Sequence, residues 1–247
     1  MTSADIGVFG GSGFYSFLAD TETVPVDTPF GPPAAPVTIG TVGGRRVAFL
    51  PRHGRHHELA PHAIPYRANV DAMRQLGVRA LLGPCAVGSL QADVHPGEFV
   101  VVDQLVDRTW GRADTFHDDF ASGAVHVAFA DPYDAALRRV LVAAGRSVGV
   151  TMHDGGTLVV IQGPRFSTRA ESAWFSSQGW TVVNMTGYPE AVLAAEAGLP
   201  YAAIALVTDY DAGVGGHEPV TQEAVFSFFE GNVDRVRELL LAAIPHL

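Results

Sequence analysis

Residues 181–207, with the sequence TVVNMTGYPEAVLAAEAGLPYAAIALV, contain two short apolar runs separated by a longer segment. The first three residues and the run 202–207 are typical of buried strands, because each run is short, apolar and bounded by glycine, proline or polar residues. Between them Pro189 stands in the first turn of a predicted helix at 189–197, and Gly198 directly follows its end, which are the positions these residues prefer. The stretch therefore predicts a strand, a helix and a second strand of an α/β fold.

The same alternation continues along the rest of the chain. Further strands are predicted at 6–9, 47–50, 80–82, 99–102 and 157–161. Further helices are predicted at 66–75, 133–144, 169–178 and 222–242. No internal repeat and no low-complexity linker divides the chain. We therefore expect a single domain spanning 1–247, with a central mixed β-sheet flanked by helices.

The composition limits the partners of this protein. The net charge of −10 argues against nucleic acid, whose phosphate backbone needs a basic surface. A small anionic ligand needs only a local positive pocket. Charged residues make up 17% of the chain and hydrophobic residues 47%, which predicts that self-association covers part of the surface. A monomer with an alanine-rich surface is the alternative.

The cysteine count and the N-terminal residues predict a cytoplasmic protein without membrane contact. Cys85 is the only cysteine, so an intrachain disulfide is impossible and a reducing compartment fits. Residues 1–5 lack the basic and apolar regions of a signal peptide. No apolar run approaches the ~20 residues of a membrane span.

Two stretches near the N-terminus are suited to binding an oxyanion. The strand 6–9 runs into Gly10-Gly11-Ser12-Gly13, where backbone N–H groups and the Ser12 hydroxyl are available to a phosphate; an ordinary tight turn explains the glycines equally well. The spacing matches neither the dinucleotide fingerprint nor a P-loop.

The second stretch is Arg52-His53-Gly54-Arg55-His56-His57, directly after the strand 47–50. An arginine fork beside an imidazole suits a tetrahedral oxyanion. One alternative is a zinc site built on His53, His56 and His57, which the adjacent arginines disfavour because like charge repels the cation. The other alternative is a solvated loop.

Three further stretches lie at the ends of predicted strands. Residues 85–90, CAVGSL, are small and leave room either for a ligand or for close packing. In 163–171, GPRFSTRAE, either Phe166 stacks on a base and Ser167 bonds its edge, or Phe166 is core and Ser167 caps the helix. Residues 184–190, NMTGYPE, lie where ligands bind open α/β sheets.

The last stretch, Thr208-Asp209-Tyr210-Asp211, follows the strand 202–207. In an extended chain Asp209 and Asp211 point the same way. Paired carboxylates raise each other's proton affinity, which suits a general acid near neutral pH. The alternative is a polar turn with both acids in solvent.

These six stretches, in this order and from about residue 6 to 245, resemble the trimeric family of purine nucleoside phosphorylases and methylthioadenosine phosphorylases, and look most like its methylthioadenosine branch. The resemblance implies a phosphate site made by Ser12, Arg52, His53, Cys85, Ala86 and Thr186, in which Cys85 stands where the family often has threonine. It implies that a second set of residues surrounds the nucleoside: Phe166, Ser167, Asn184, Met185, Asp209 and Asp211. His126 resembles the segment that closes over the sugar of a neighbouring subunit in a homotrimer.

The activity implied by the resemblance is phosphate-dependent cleavage of 5'-methylthioadenosine, with Asp209 as the acid acting on N7 of the purine. Inorganic phosphate is then a co-substrate, and no metal or organic cofactor is expected. The two aspartates favour a 6-aminopurine, because a carboxylate accepts from N6 and a protonated carboxyl donates to N7. The alternatives are a purine nucleoside phosphorylase acting on adenosine, inosine or other 5'-modified nucleosides, and a non-catalytic nucleoside-binding protein.

The chain departs from the family's pattern in the pocket that holds the 5' end of the substrate. The family lines this pocket with apolar residues of the C-terminal helix, and the counterparts here are Gln222 and Phe226. A glutamine is an unusual wall for a thioether and is suited to bonding a 5'-hydroxyl.

Overall fold

The computed structural model of the chain describes residues 3–11, 14, 17–121, 123–217 and 221–247. They form eleven strands, β1 to β11, at Ile6–Gly10, Glu22–Val24, Val37–Val42, Arg45–Pro51, Ala80–Ser89, Phe99–Val101, Gln104–Arg108, Met152–Asp154, Thr157–Ile161, Val182–Asn184 and Tyr201–Tyr210. They also form five α-helices, α1 to α5, at Tyr66–Gln75, Ala135–Ser147, Arg169–Ser177, Gly187–Glu196 and Gln222–Ala243. The predicted α/β class is therefore confirmed.

The central strand of the sheet is β5. It pairs in parallel with β1 and with β11, and antiparallel with β10. Beyond β1 the sheet continues through β4, β3 and β2, and beyond β10 through β9 and β7. β6 adds antiparallel to β11, and β8 adds parallel to β6. Parallel and antiparallel pairs both occur, so the prediction of a mixed sheet is confirmed.

The helices cover both faces of this sheet. Helices α1 and α4 contribute side chains such as Met73 and Leu193 to one large buried cluster. Helices α2 and α5 contribute Leu141 and Phe229 to a second cluster on the other face. Because the central strands are buried on both faces, they are continuous apolar runs rather than alternating ones.

The predicted strand at 80–82 continues to Ser89, so the small residues after it do not end it. Two glycines in the extension make room for side chains of neighbouring elements. A Cβ at Gly83 would lie 2.2 Å from the Tyr201 hydroxyl oxygen, and a Cβ at Gly88 would lie 3.1 Å from Asp209 Oδ2. Glycine within a strand here marks close approach of neighbouring groups.

Helix ends agree with the sequence at α4 and α5, whereas α2 runs from Ala135 to Ser147 instead of the predicted 133–144 and α3 differs in its capping residue. Tyr188 has non-helical dihedrals, so the regular part of α4 begins at Pro189, and Gly198 has φ of +68° directly after it. The Thr221 hydroxyl accepts from the Ala224 N–H at 3.2 Å and caps α5. Helix α3 is capped by Thr168, and Ser167 is not its cap. No helix within the described ranges is long and apolar enough to cross a membrane.

Candidate active site

A cavity of about 380 Å³ opens where β1, β4, β5, β10 and β11 end or pass, and α5 closes one side of it. It brings together most of the site residues predicted from the sequence: Arg52, His53, Cys85, Ala86, Phe166, Ser167, Asn184, Met185, Thr186, Asp209, Asp211, Gln222 and Phe226. Ser12 lies outside the described residues, and its neighbour Gly11 lines the cavity.

Arg52 lies at the end of β4 and is fully buried, with 1% of its surface exposed. Its Nε and Nη2 donate to the two carboxylate oxygens of Glu190 at 2.8 and 2.9 Å, and its Nη1 donates to the Pro84 carbonyl at 2.9 Å. Burial opposes the charge, but the Glu190 carboxylate outweighs burial and holds the pKa of Arg52 above its ordinary value. The Nε and Nη2 side of the arginine fork therefore binds Glu190, and the oxyanion site expected at Arg52 stays a prediction.

Two of the five N–H donors of Arg52 remain after these three bonds, one on Nη1 and one on Nη2. A Cβ at Gly11 would lie 3.0 Å from Nη1, so the glycine keeps the space beside this nitrogen open. Arg52 lines the cavity and therefore has two N–H groups left as donors for a ligand.

His53 is a neutral imidazole with a defined tautomer. Its Nδ1 lies 2.8 Å from the Leu59 carbonyl oxygen, which only accepts, so the proton is on Nδ1 and Nε2 is the acceptor. Burial lowers the pKa of His53 to about 3, against the opposing effect of the Leu59 bond.

The three histidines of the zinc hypothesis do not converge on one point. The His53 and His57 rings stack at 4.3 Å with an interplanar angle of 18°, whereas His56 is exposed. The nitrogens of two stacked rings lie in two nearly parallel planes and therefore do not point at one shared ion. Within the described ranges no group of three His, Cys, Asp or Glu side chains could hold a metal ion.

Asn184, Thr186 and Cys85 form the part of the cavity next to Arg52. The Asn184 side-chain oxygen accepts from the N–H groups of Thr186 and Gly187 at 3.2 Å each, which orders the turn before α4. Asn184 Nδ2 is buried without a hydrogen-bond partner among the described residues. Burial raises the pKa of the Cys85 thiol to about 11, so the thiol is neutral and a weak donor.

Asp209 lies on β11 directly after a bulge. Val207 pairs with Val87 and Asp209 with Gly88, so Thr208 is the extra residue of the bulged strand. The Thr208 hydroxyl donates to Asp209 Oδ1 at 2.6 Å. A β-bulge re-aims side chains, and here the two aspartates both lie beside Gly88.

Burial raises the pKa of Asp209 to about 6, and the charge of Asp211 adds a smaller contribution. Burial also raises the pKa of Asp211. We expected mutual repulsion to be the cause of such shifts, and this is corrected: removal from water is the larger cause, since it penalises the charged form directly.

Several buried polar atoms at and around Asp211 lack a hydrogen-bond partner among the described residues. The hydroxyls of Ser167 and Ser172 lie near enough to lower the pKa of this carboxyl in part. Their oxygens and Asp211 Oδ2 nevertheless form no hydrogen bond of regular geometry with the described residues. Buried polar atoms are rarely left unpaired, so this end of the cavity is prepared for a polar ligand edge, with Phe166 beside it.

The opposite wall comes from α5 and the loop after β4. Gln222, Val225 and Phe226 line it, and the Phe226 ring meets the His57 ring edge-on at 5.1 Å. His126 is exposed and lies outside this cavity, with its ring 5.5 Å from the Phe120 ring. Its expected role concerns a neighbouring subunit, which a single chain does not contain.

Sequence reasoning gave no role in binding the substrate to the cavity residues His57, Thr208 and Val225, nor to Glu190, which holds Arg52. Glu190 had a signal in the sequence, because an acid within the apolar helix 189–197 needs a basic partner if it is buried. His57 was considered as a zinc ligand only. Nothing in the local sequence distinguishes Thr208 or Val225 from ordinary strand and helix residues.

Residues 5–245 match the model of the phosphorylase superfamily. The S-methyl-5'-thioadenosine phosphorylase of Mycolicibacterium smegmatis is 60% identical over 240 residues, which cover 97% of this chain and 90% of the relative. The purine nucleoside phosphorylase of Streptomyces coelicolor is 53% identical over 250 residues, covering 99% and 89%. The solved methylthioadenosine phosphorylase from Schistosoma mansoni in complex with adenine has a TM-score of 0.93 at 39% identity, covering 98% and 91%.

Proposed function

Because the chain belongs to the phosphorylase superfamily, we propose that it cleaves 5'-methylthioadenosine with inorganic phosphate, yielding adenine and 5-methylthioribose 1-phosphate. One observation carries this proposal: a single cavity is lined by the buried Arg52 at one end and by the half-buried Asp209 and the buried Asp211 at the other. Phosphorolysis of a purine nucleoside needs both, an anion site for the nucleophile and a proton donor for the leaving base. The relative from Mycolicibacterium smegmatis carries the name of this activity.

The proposed phosphate site lies at the Arg52 end. The two remaining N–H donors of Arg52, the Ala86 backbone N–H and the Thr186 hydroxyl surround the anion, and Ser12 joins them. The neutral His53 accepts from a protonated phosphate oxygen through Nε2. Cys85 replaces a hydroxyl donor by a weaker thiol, which weakens one contact.

The proposed base site lies at the aspartate end. Asp209 in its protonated form donates to N7, and the carboxylate of Asp211 accepts from the N6 amino group of adenine. Phe166 packs on the purine, Ser167 bonds its edge, and Asn184 and Met185 border the ribose. A 6-oxopurine would leave a buried polar group unpaired, at a cost of about 1–3 kcal/mol.

The proposed reaction balances without any further reagent. The C1'–N9 electron pair moves into the purine as that bond breaks, the Asp209 carboxyl gives its proton to N7, and a phosphate oxygen forms the new bond to C1'. The proton that phosphate loses on bonding restores the Asp209 carboxyl through solvent. The donation to N7 is strongest when charge has developed on the base, so it stabilises the transition state more than the substrate. No metal or organic cofactor takes part.

The proposal includes a homotrimer in the cytoplasm. Support for self-association comes from the low charged fraction of 17% and from two exposed tryptophans, Trp110 at 66% and Trp174 at 44% exposure. The single cysteine is unpaired and fits a reducing compartment.

A second candidate is cleavage of adenosine, and Gln222 favours it. Its carboxamide lines the cavity on α5 beside Val225 and Phe226, where it is suited to bonding a 5'-hydroxyl. The test is purine release from methylthioadenosine, adenosine and inosine, each with and without phosphate. Phosphate-dependent release that is fastest from methylthioadenosine supports the main proposal, whereas faster release from adenosine supports the second. Equal release with and without phosphate would overturn both.

A further inference from the structure

Glu190 is a buried acid at the start of α4 to which the proposed reaction assigns no step. It is 2% exposed, and it accepts from Arg52 through both oxygens. Its Oε1 also accepts from the Tyr201 hydroxyl at 2.6 Å. The carboxylate is therefore held from two sides, by the arginine after β4 and by the tyrosine that begins β11.

The sheet is shaped to admit this network. A Cβ at Gly83 would lie 2.2 Å from the Tyr201 hydroxyl oxygen and 2.8 Å from Glu190 Oε1. Any other residue at this position of β5 would collide with the two groups. The glycine therefore leaves the space that Glu190 and Tyr201 occupy behind Arg52.

The three bonds to Arg52 fix its guanidinium completely. The bidentate pair with Glu190 sets the plane and the direction of the fork, and the Pro84 carbonyl sets the rotation about the remaining edge. The carboxylate occupies the Nε–Nη2 edge, and the two N–H donors left over are one on Nη1 and one on Nη2. Without Glu190 at this reach, the long arginine side chain has several rotamers of similar energy and its donors have no fixed direction.

The geometry points to Glu190 as the positioning residue of the phosphate site: it acts through Arg52, and holds the two free donors of that arginine toward the phosphate. This inference rests on the proposed function for the identity of the anion. Glu190 affects phosphate binding in two ways. Its hydrogen bonds place the donors of Arg52, and its negative charge offsets the positive charge that attracts phosphate. Placement is the contribution that a shorter carboxylate would remove.

The test replaces Glu190 by aspartate, which keeps the charge and withdraws the carboxylate by roughly 1.5 Å. We expect E190D to raise the KM for phosphate about tenfold to hundredfold, because a misplacement of this size at a positioning group weakens productive binding. The KM for methylthioadenosine stays within about twofold. Phosphate also raises the melting temperature of a protein that binds it, so E190D loses the rise produced by phosphate and keeps the rise produced by adenine.

Glu196→Asp is the matched control on the same helix. Glu196 accepts from the Thr115 hydroxyl and the Phe116 N–H at 2.7 Å each, away from the cavity. This substitution is expected to leave both melting-temperature responses unchanged. If E190D does not fold, Tyr201→Phe removes one bond to Glu190 and is expected to raise the KM for phosphate about two- to tenfold.

An E190D protein with a wild-type response to phosphate would overturn the inference, as would equal loss of the phosphate and adenine responses. With Tyr201→Phe as the substitute, an unchanged phosphate response would overturn it. The melting-temperature experiment needs no turnover. A wild-type protein that binds phosphate through Glu190 and Arg52 but does not cleave methylthioadenosine would therefore refute the proposed function and leave this inference supported.

Discussion

Asp209 is destabilising in its charged form, because it lies in a cavity where water is scarce. Its pKa is about 6 in the folded protein and 3.8 as the ordinary value. A group whose pKa is raised by folding contributes stability below its unfolded pKa, and this contribution is lost as the pH rises through the folded pKa. The loss occurs between about pH 4 and pH 6.

Asp209→Asn is therefore expected to stabilise the protein without ligand at pH 7.5, by about 1–3 kcal/mol. The neutral amide has no charge to desolvate. The measurement is urea unfolding of both proteins at pH 7.5 and at pH 5, and the difference between them should shrink at the lower pH. Equal stability of the two proteins at pH 7.5 would mean that Asp209 is not a buried charge.

The same substitution is expected to change the preferred base. An amide donates to both O6 and N7, so Asp209→Asn should move the ratio of kcat/KM for adenosine over inosine toward inosine, by about 5- to 150-fold. The measurement is initial rates on both nucleosides at saturating phosphate. An unchanged ratio would show that an amide at position 209 does not donate to O6, and would contradict the proposed arrangement of the base.

At the scale of residues, the sequence predicted groups that stand next to strong apolar runs. Arg52 follows the buried strand β4 and Asp209 lies near the end of β11, so their place at the edge of the sheet can be read locally. The pairing of Arg52 with Glu190 joins residues 138 positions apart, and no local pattern encodes which acid meets which base. The cause of the Asp209 shift was missed for the same reason, since burial is a property of the assembled cavity.

At the scale of elements, α3 positions Ser167 through a capping box formed by Thr168, the residue directly before the helix, and Glu171. The Thr168 hydroxyl accepts from the Glu171 N–H at 3.2 Å, and Glu171 Oε2 accepts from the Thr168 N–H at 2.7 Å. Thr168→Ala is expected to cost about 1 kcal/mol of stability. It should also raise the KM for methylthioadenosine, because Ser167 in the cavity is the residue directly before the cap.

Asp134→Ala is the control for this element. Asp134 caps α2 by accepting from the N–H groups of Ala136 and Leu137 at 2.8 Å each, and α2 does not line the cavity. Thermal unfolding should show a loss of similar size, while steady-state kinetics show no change in KM. A rise in KM in both variants would indicate that general destabilisation is the cause.

Element prediction succeeded where the hydrophobic pattern is strong. Helix α1 matches its predicted bounds, and the strands in the middle of the sheet are continuous apolar runs. Strands β2, β7 and β8 were not predicted, because they are short and partly exposed, and so lack such a run. Strand β3 was missed as well, although four of its six residues are buried. Gly40 interrupts its alternation of apolar and polar residues, so β3 has neither a regular alternation nor a continuous apolar run.

At the scale of the whole molecule, exposed apolar side chains accompany a low content of charge. Besides Trp110 and Trp174, Phe120 and Val125 are 50% and 45% exposed. Burying such groups between subunits removes apolar surface from water. We expect light scattering after size exclusion to give three times the chain mass of 26.1 kDa. A mass of one chain at micromolar concentration would contradict the trimer and the role expected for His126.

Identification of the sugar product distinguishes phosphorolysis from hydrolysis. Methylthioadenosine is incubated with the protein and inorganic phosphate, and the phosphorus and carbon resonances of the mixture are followed by NMR. We expect 5-methylthioribose 1-phosphate in the same amount as adenine, and no adenine when phosphate is omitted. Free 5-methylthioribose, formed at the same rate without phosphate, would show that water is the nucleophile and that the protein is not a phosphorylase.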